Sequence, residues 1–252
     1  SFNFKFFPFI SSFYKKRFLR IFPSLIIYFL IFFLITLFLN PNPGINVRTG
    51  LSSLIGLSNL YLSNTNLTYF GHELSSNPFL ITWSLSLELQ FYLFFPLVVF
   101  FITKLFSTKY LKFTLIFLSI LSILFFLINR DLYFSPFARV WGIILGALAF
   151  LYRQKILKLY IKTFHLDFIL LGIILSAFYT FKFIVINHLI VSFLSLFLLI
   201  IQFKNNSITS RLLKSKFLMA IGKRSYSLFL WHWGIITLFF WLGWTINLLS
   251  IF

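Results

Sequence analysis

Residues 22–39 read FPSLIIYFLIFFLITLFL, an apolar stretch with no charged side chain. A hydrocarbon core about 30 Å thick requires roughly 20 helical residues, and backbone groups in lipid must find their partners within the same helix. The stretch therefore predicts a membrane-spanning helix. Comparable runs occupy 83–103, 113–128, 136–152, 166–181, 183–201 and 225–243. The sequence predicts an all-α fold, a polytopic transmembrane helix bundle with about seven full crossings.

The composition of the 252 residues excludes a water-soluble domain, because only 10% are charged and 60% are hydrophobic. Soluble domains are about one quarter charged. The net charge of +18 would suggest nucleic acid in a soluble protein. Here the cations stand between apolar runs, so we expect the lipid bilayer as partner and no nucleic acid. With no cysteine and four scattered histidines, we expect no metal site.

The basic residues predict the orientation of the helices. Of the 22 Lys and Arg residues, 18 lie before the first run or within 104–112, 153–162 and 204–224. The positive-inside rule makes these segments cytoplasmic. This assignment requires that the short run 51–63 is a re-entrant or interfacial segment and not a full crossing. The chain starts at Ser1 and its one methionine is Met219, so we expect residues 1–252 to be a single transmembrane domain and a fragment.

Glu88 and Arg139 lie within the apolar runs, where charge is costly and indicates function by default. Glu88 lies on one helical face with Ser84 and Tyr92, because successive residues turn by about 100°. This carboxylate either accepts hydrogen bonds from serines in a structural network or serves a catalytic or binding site. Arg139 lies at a similar predicted depth, so the two charges could form a buried pair.

The last long run contains a histidine at about mid-membrane. His232 and Ser225 are seven residues apart and therefore share a helical face. An imidazole there is a base, a proton relay or a hydrogen-bonded core residue. In the fourth run, Gly142 and Gly146 have the small-xxx-small spacing that predicts close approach of another helix.

Four segments together resemble one family. They are TWSLSLELQFYL at 82–93, FYKKRFLRIFP at 13–23, IGKRSYSLFLWHW at 221–233, and Arg139-Val140-Trp141 followed by Gly146. In residue type, order and spacing they resemble the acyltransferase family 3 membrane proteins across nearly the whole chain. Gly234 stands where the family pattern has a proline.

The resemblance implies a transferase of the bacterial inner or cell membrane. Such an enzyme moves an acyl group, commonly acetyl, from a cytoplasmic acyl-CoA to a hydroxyl of an extracytoplasmic carbohydrate or lipid-linked glycan. It would carry out O-acetylation in polysaccharide modification of the cell envelope, with acyl-CoA as co-substrate, no tightly bound cofactor and no metal. The family has about ten helices, so this chain is expected to lack the first, with its catalytic histidine, and the last.

The resemblance also implies roles for particular residues. The catalytic candidates are Glu88, which orients a histidine or the acceptor, Arg139, which stabilises developing charge, and His232, which handles a proton or packs. The substrate-binding candidates are Trp83, Tyr92, Trp231, Ser225, Arg17 and Arg20. The two latter arginines either hold the phosphates of coenzyme A or anchor lipid headgroups. The alternatives are a transporter or flippase for a lipid-linked sugar, and an inactive fragment or scaffold.

Overall fold

The computed structural model describes residues 6–65, 76–129, 134–157, 163–178, 184–201 and 208–243. Its helices are α1 Phe6–Leu39, α2 Gly44–Leu54, α3 Ser58–Ser63, α4 Thr82–Leu105, α5 Thr108–Ile128, α6 Pro136–Leu157, α7 Thr163–Phe178, α8 Ile184–Ile201, α9 Ile208–Leu213 and α10 Lys216–Trp241. Throughout these ranges the regular structure is helical, which confirms the all-α prediction.

Four described helical segments have the length and apolarity of a membrane crossing. They are Phe6–Leu39, Thr82–Leu105, Thr108–Ile128 and Pro136–Arg153. Two shorter apolar segments, Asp167–Ser176 and His188–Leu198, lie in α7 and α8. These helices confirm a transmembrane helix bundle, whereas the count of seven crossings stays a prediction.

The predicted short run 51–63 forms parts of two helices that meet at a turn. α2 has 11 residues and spans about 16 Å, so neither it nor the shorter α3 is long enough to cross a bilayer. The turn contains Gly56, whose φ of +72° is a left-handed conformation that favours glycine. Residues 66–75 of the predicted outer excursion lie outside the described ranges.

Internal contacts divide the chain into two compact units, and the single domain predicted for residues 1–252 stays a prediction. Unit 1 comprises 1–111, 129–139 and 224–252, and unit 2 comprises 112–128 and 140–223. Unit 1 therefore contains α1 to α4 and most of α10. In unit 2, the backbone N–H of Trp141 on α6 donates to Ser122 Oγ on α5 at 3.2 Å.

In unit 1, α1 packs between α4 and α10. Tyr14 donates to the carbonyl of Leu93 at 2.7 Å, whereas Tyr28 donates to that of Pro78 at 2.6 Å, so α1 and α4 are antiparallel. Successive contacts of α10 advance along α1 in the same direction, from Tyr226–Ile21 to Gly234–Phe32. The parallel course of α1 and α10 agrees with the predicted topology, in which the first and last long runs both leave the cytoplasm.

The Ser86–Gln90 face of α4 holds α3 and the turn before it through neutral side chains. Ser58 and Ser86 share a hydrogen bond of 2.7 Å between their Oγ atoms, and Gln90 Nε2 donates to Asn59 Oδ1 at 2.8 Å. Buried polar groups are costly unless they are hydrogen-bonded, and these bonds satisfy them in pairs. The polar side chains on this face of α4 therefore serve helix packing. The opposite polar face, which carries Glu88, is the candidate for the functional site.

Candidate functional site

Glu88 and Tyr92 lie one turn apart on α4, as their spacing predicted. The Tyr92 hydroxyl donates to the Glu88 carboxylate, and both side chains are half-buried. The serine on the same face is not the donor, because Ser84 Oγ donates to the carbonyl of Ile81 at 2.9 Å. The structure thus gives Glu88 a tyrosine partner where the sequence suggested serines.

The Tyr92 ring also receives an arginine from α1. The Arg17 guanidinium lies 4.5 Å from the centroid of Tyr92 and 5.4 Å from that of Phe13. Cations over aromatic faces at this distance are attracted by the ring quadrupole. Arg20 lies within electrostatic range of the Tyr92 hydroxyl as well. Arg17 and the membrane-embedded carboxylate of Glu88 therefore meet at one tyrosine, and we call Arg17, Glu88 and Tyr92, together with the nearby Arg20, the inner cluster.

Tyr226 of α10 lies beside the inner cluster. Its hydroxyl donates to the carbonyl of Ile21 at 3.2 Å, and it is within electrostatic range of Glu88. A hydrogen bond of 3.2 Å between Ser24 Oγ and Ser227 Oγ joins the same two helices. The sequence analysis assigned Tyr226 no role, although it follows Ser225 in the 221–233 segment. Only the contact between α1 and α10 reveals its position.

Arg139 lies at a different place in unit 1. Its guanidinium is 5.9 Å from the centroid of Trp83, and the Trp83 ring packs edge-on against Phe134 at 5.6 Å. Trp83 and Glu88 are separated by five residues, which is about 140° around α4 and roughly 7.5 Å along it. The structure gives Glu88 and Arg139 different partners and does not bring them together as an ion pair. We call Arg139 and Trp83 the outer cluster.

His232 and Ser225 lie on an exposed side of α10. His232 Nδ1 is 3.1 Å from the carbonyl oxygen of Leu228. Since a carbonyl only accepts, Nδ1 is the donor in this contact, and in the neutral imidazole Nε2 then has the lone pair that a base requires. This tautomer is compatible with proton transfer, but the histidine does not contact either cluster through a hydrogen bond.

Trp231 points into the core of unit 1 and away from His232. Its ring lies edge-on to Tyr28 at 5.9 Å and to Phe32 at 6.0 Å between centroids. These contacts are the packing that large aromatic side chains make in protein interiors. Within the described ranges, no three His, Asp or Glu side chains are grouped so that they could hold a metal ion.

Comparison with known proteins agrees with the motifs. The acyltransferase domain family matches residues 3–251. The O-acetyltransferase OatA of Staphylococcus aureus, from strains NCTC 8325, COL and MRSA252, is 31% identical over 247 residues, covering 90% of this chain.

The match covers 41% of OatA, so this chain spans about two fifths of the length of these relatives. No solved structure matches the chain. The family match leaves only a few residues at either end uncovered. The chain therefore belongs to acyltransferase family 3.

Proposed function

We propose that this chain is the membrane part of an O-acetyltransferase. It would transfer an acetyl group from acyl-CoA on the cytoplasmic side to a hydroxyl of an extracytoplasmic carbohydrate or lipid-linked glycan. The inner cluster is the main support for the proposal, because in it Arg17, at the end of α1 predicted to be cytoplasmic, stacks on the tyrosine that donates to a carboxylate within a membrane helix. The names of the OatA relatives support O-acetyl transfer as the reaction.

The arginines of the inner cluster suit the phosphates of coenzyme A. A guanidinium presents a planar fork of donors that binds phosphate bidentately. Stacking on Tyr92 restricts the orientation of the Arg17 guanidinium before a ligand binds. Less side-chain entropy is therefore lost on binding. Arg20 adds a second positive charge one turn further along α1. We therefore assign the donor end of the path to the inner cluster.

The two clusters mark two depths along α4. Trp83 and Tyr92 are nine residues apart, which corresponds to about 14 Å of helix. A reaction between a cytoplasmic donor and an extracytoplasmic acceptor requires a path across this depth. We propose that Arg139 and Trp83 serve the acceptor end, where the tryptophan ring can stack on a sugar and the guanidinium can stabilise an oxyanion.

The chemical step is acyl transfer between sulfur and oxygen. The acceptor hydroxyl attacks the thioester carbonyl, a base takes its proton, the new C–O bond forms, and the C–S bond breaks to release the thiolate of coenzyme A. Nε2 of His232 has the lone pair for proton handling. Glu88, held by Tyr92, is the group that orients the reactants. The side chains proposed for substrate contact are Trp231 and Ser225 in addition to the two clusters.

The test uses membranes containing the longest reading frame that includes this chain. Labelled acetyl-CoA is supplied from the cytoplasmic face, and acetyl label is measured in extracytoplasmic glycan. We expect label in the glycan and a strong loss in Arg17→Gln, with little change in the neighbouring control Lys16→Gln, whose side chain is exposed. Glycan that crosses the membrane without label would instead identify a transporter or flippase. Equal labelling by the two variants would show that the inner cluster does not bind the acetyl donor.

A further inference from the structure

An open groove lies between α6 and α8 in unit 2, and no residue of either cluster lines it. Its volume is about 450 Å³, within the range of roughly 300–1,000 Å³ typical of ligand sites. Gly142, Gly146 and Ala149 line it from α6, and Ser192 and Ser195 line it from α8. Most of the remaining lining is aliphatic or aromatic, so the interior of the groove is suited to a hydrocarbon chain.

The two glycines of the groove do not serve close helix packing, contrary to what their spacing predicted. A Cβ atom at Gly142 or Gly146 would meet no heavy atom within 4 Å. At Gly234, by contrast, the same atom would lie 2.3 Å from the Phe32 ring. A glycine in a helix is less favourable than alanine by about 1 kcal/mol. At these two positions the absence of a side chain leaves an open space beside the helix. A space of this kind within a membrane bundle is suited to a molecule that is not protein.

One end of the groove is basic. Arg153 lines the groove at the end of α6 that leads into the predicted cytoplasmic segment 153–162. On α5, Lys112 Nζ lies 4.8 Å from the centroid of Tyr152, the residue before Arg153. Basic pockets between membrane helices on the cytoplasmic side bind anionic lipid headgroups. The groove therefore combines an apolar interior with positive charge at the level expected for phosphates.

We propose that the α6–α8 groove binds an acidic phospholipid. One acyl chain lies along Gly142, Gly146 and Ala149, and the phosphate contacts Arg153. Filling the groove restores the van der Waals contacts that an empty space beside these helices lacks. The site is separate from the proposed acetyl transfer, and its test therefore requires no enzyme activity.

The experiment measures lipid retained by the purified full chain. The protein is extracted in mild detergent, exposed to equal fractions of phosphatidylglycerol and phosphatidylcholine, and analysed by native mass spectrometry. We expect one retained phosphatidylglycerol, in preference to phosphatidylcholine. Arg153→Gln should reduce this preference about fivefold, the effect expected of one basic residue near an anionic lipid. Lys155→Gln, an exposed cation on the same helix outside the groove, should leave the preference unchanged.

A second variant tests the chain-binding part of the groove. In Gly146→Leu the new Cβ atom meets no heavy atom within 4 Å, so we expect the fold to be kept and the thermal midpoint not to fall. We expect this variant to lose both lipids. Retention of phosphatidylglycerol in Gly146→Leu, or an equal effect of the Arg153 and Lys155 substitutions, would overturn the proposal. So would the absence of retained phosphatidylglycerol from the unmodified chain.

Discussion

Substitution of Gly234 by alanine tests how closely α10 approaches α1. A Cβ atom at this position would lie 2.3, 2.5 and 2.8 Å from three carbons of the Phe32 ring. That ring is only 2% exposed and lies 4.6 Å from the Tyr28 ring between centroids. Because its neighbours hold the ring in place, the new methyl group must displace one of the two helices.

The expected magnitude comes from two opposing effects. Alanine improves helix propensity by about 1 kcal/mol over glycine, whereas overpacking a filled core costs about 1–3 kcal/mol, occasionally more. We expect Gly234→Ala to lower the free energy of unfolding by up to about 2 kcal/mol. Gly222→Ala is the matched control on the same helix, since a Cβ there meets nothing within 4 Å. It should keep or raise stability.

The assay is the thermal midpoint of the purified protein in detergent, followed by circular dichroism. A double-mutant cycle with Phe32→Ala isolates the contact. In that background Gly234→Ala should no longer destabilise, because the methyl group fills part of the space left by the ring. Equal midpoints for Gly234→Ala and Gly222→Ala would refute the close approach. The same contact explains why glycine stands where the family pattern has proline, which also carries a Cβ.

Three further substitutions test the site and its support. Glu88→Gln keeps the shape but removes the charge, and we expect at least about a hundredfold loss of labelled glycan at normal expression; full labelling would exclude Glu88 from the reaction. Arg139→Lys loses the planar group over the tryptophan ring, so labelling should fall although the positive charge is kept, and unchanged labelling would contradict that role. Ser86→Ala leaves the buried backbone N–H of Ser58 without its acceptor and should cost about 1–3 kcal/mol of unfolding free energy, more than Ser84→Ala, whose hydroxyl donates to the carbonyl of Ile81.

Apolar runs predicted where the helices lie but not where they begin. α1 begins at Phe6 and α10 at Lys216, both well before the predicted runs at 22 and 225. The additional turns contain basic residues, which lower the local hydropathy without disfavouring a helix. Long basic side chains can place their charge in water while their stems cover apolar surface. Hydropathy therefore located the lipid-spanning part and missed the helical extension at the end predicted to be cytoplasmic.

Helical periodicity predicted which residues share a face, but it could not predict their partners. It placed Glu88 and Tyr92 together on α4, and the structure agrees. The stacking of Arg17 on Tyr92 depends on the register of α1 against α4, which no spacing within one helix contains. Glycine spacing also failed to predict which helices would be in contact. Gly142 and Gly146 matched a packing pattern and line open space, whereas Gly234, which matched none, makes the close approach.

The two polar faces of α4 differ in a way that bears on function. The Ser86–Gln90 face is neutral, and its hydroxyl and amide groups satisfy one another, so fixing α3 and the turn before it is a sufficient reason for it. The Glu88 face instead carries an ionisable carboxylate bonded to Tyr92, on which Arg17 of α1 stacks. A charge at membrane depth is costly, and apolar side chains could join α1 to α4 without that cost. We therefore propose that the charge on this face serves a reaction or a charged substrate and not stability.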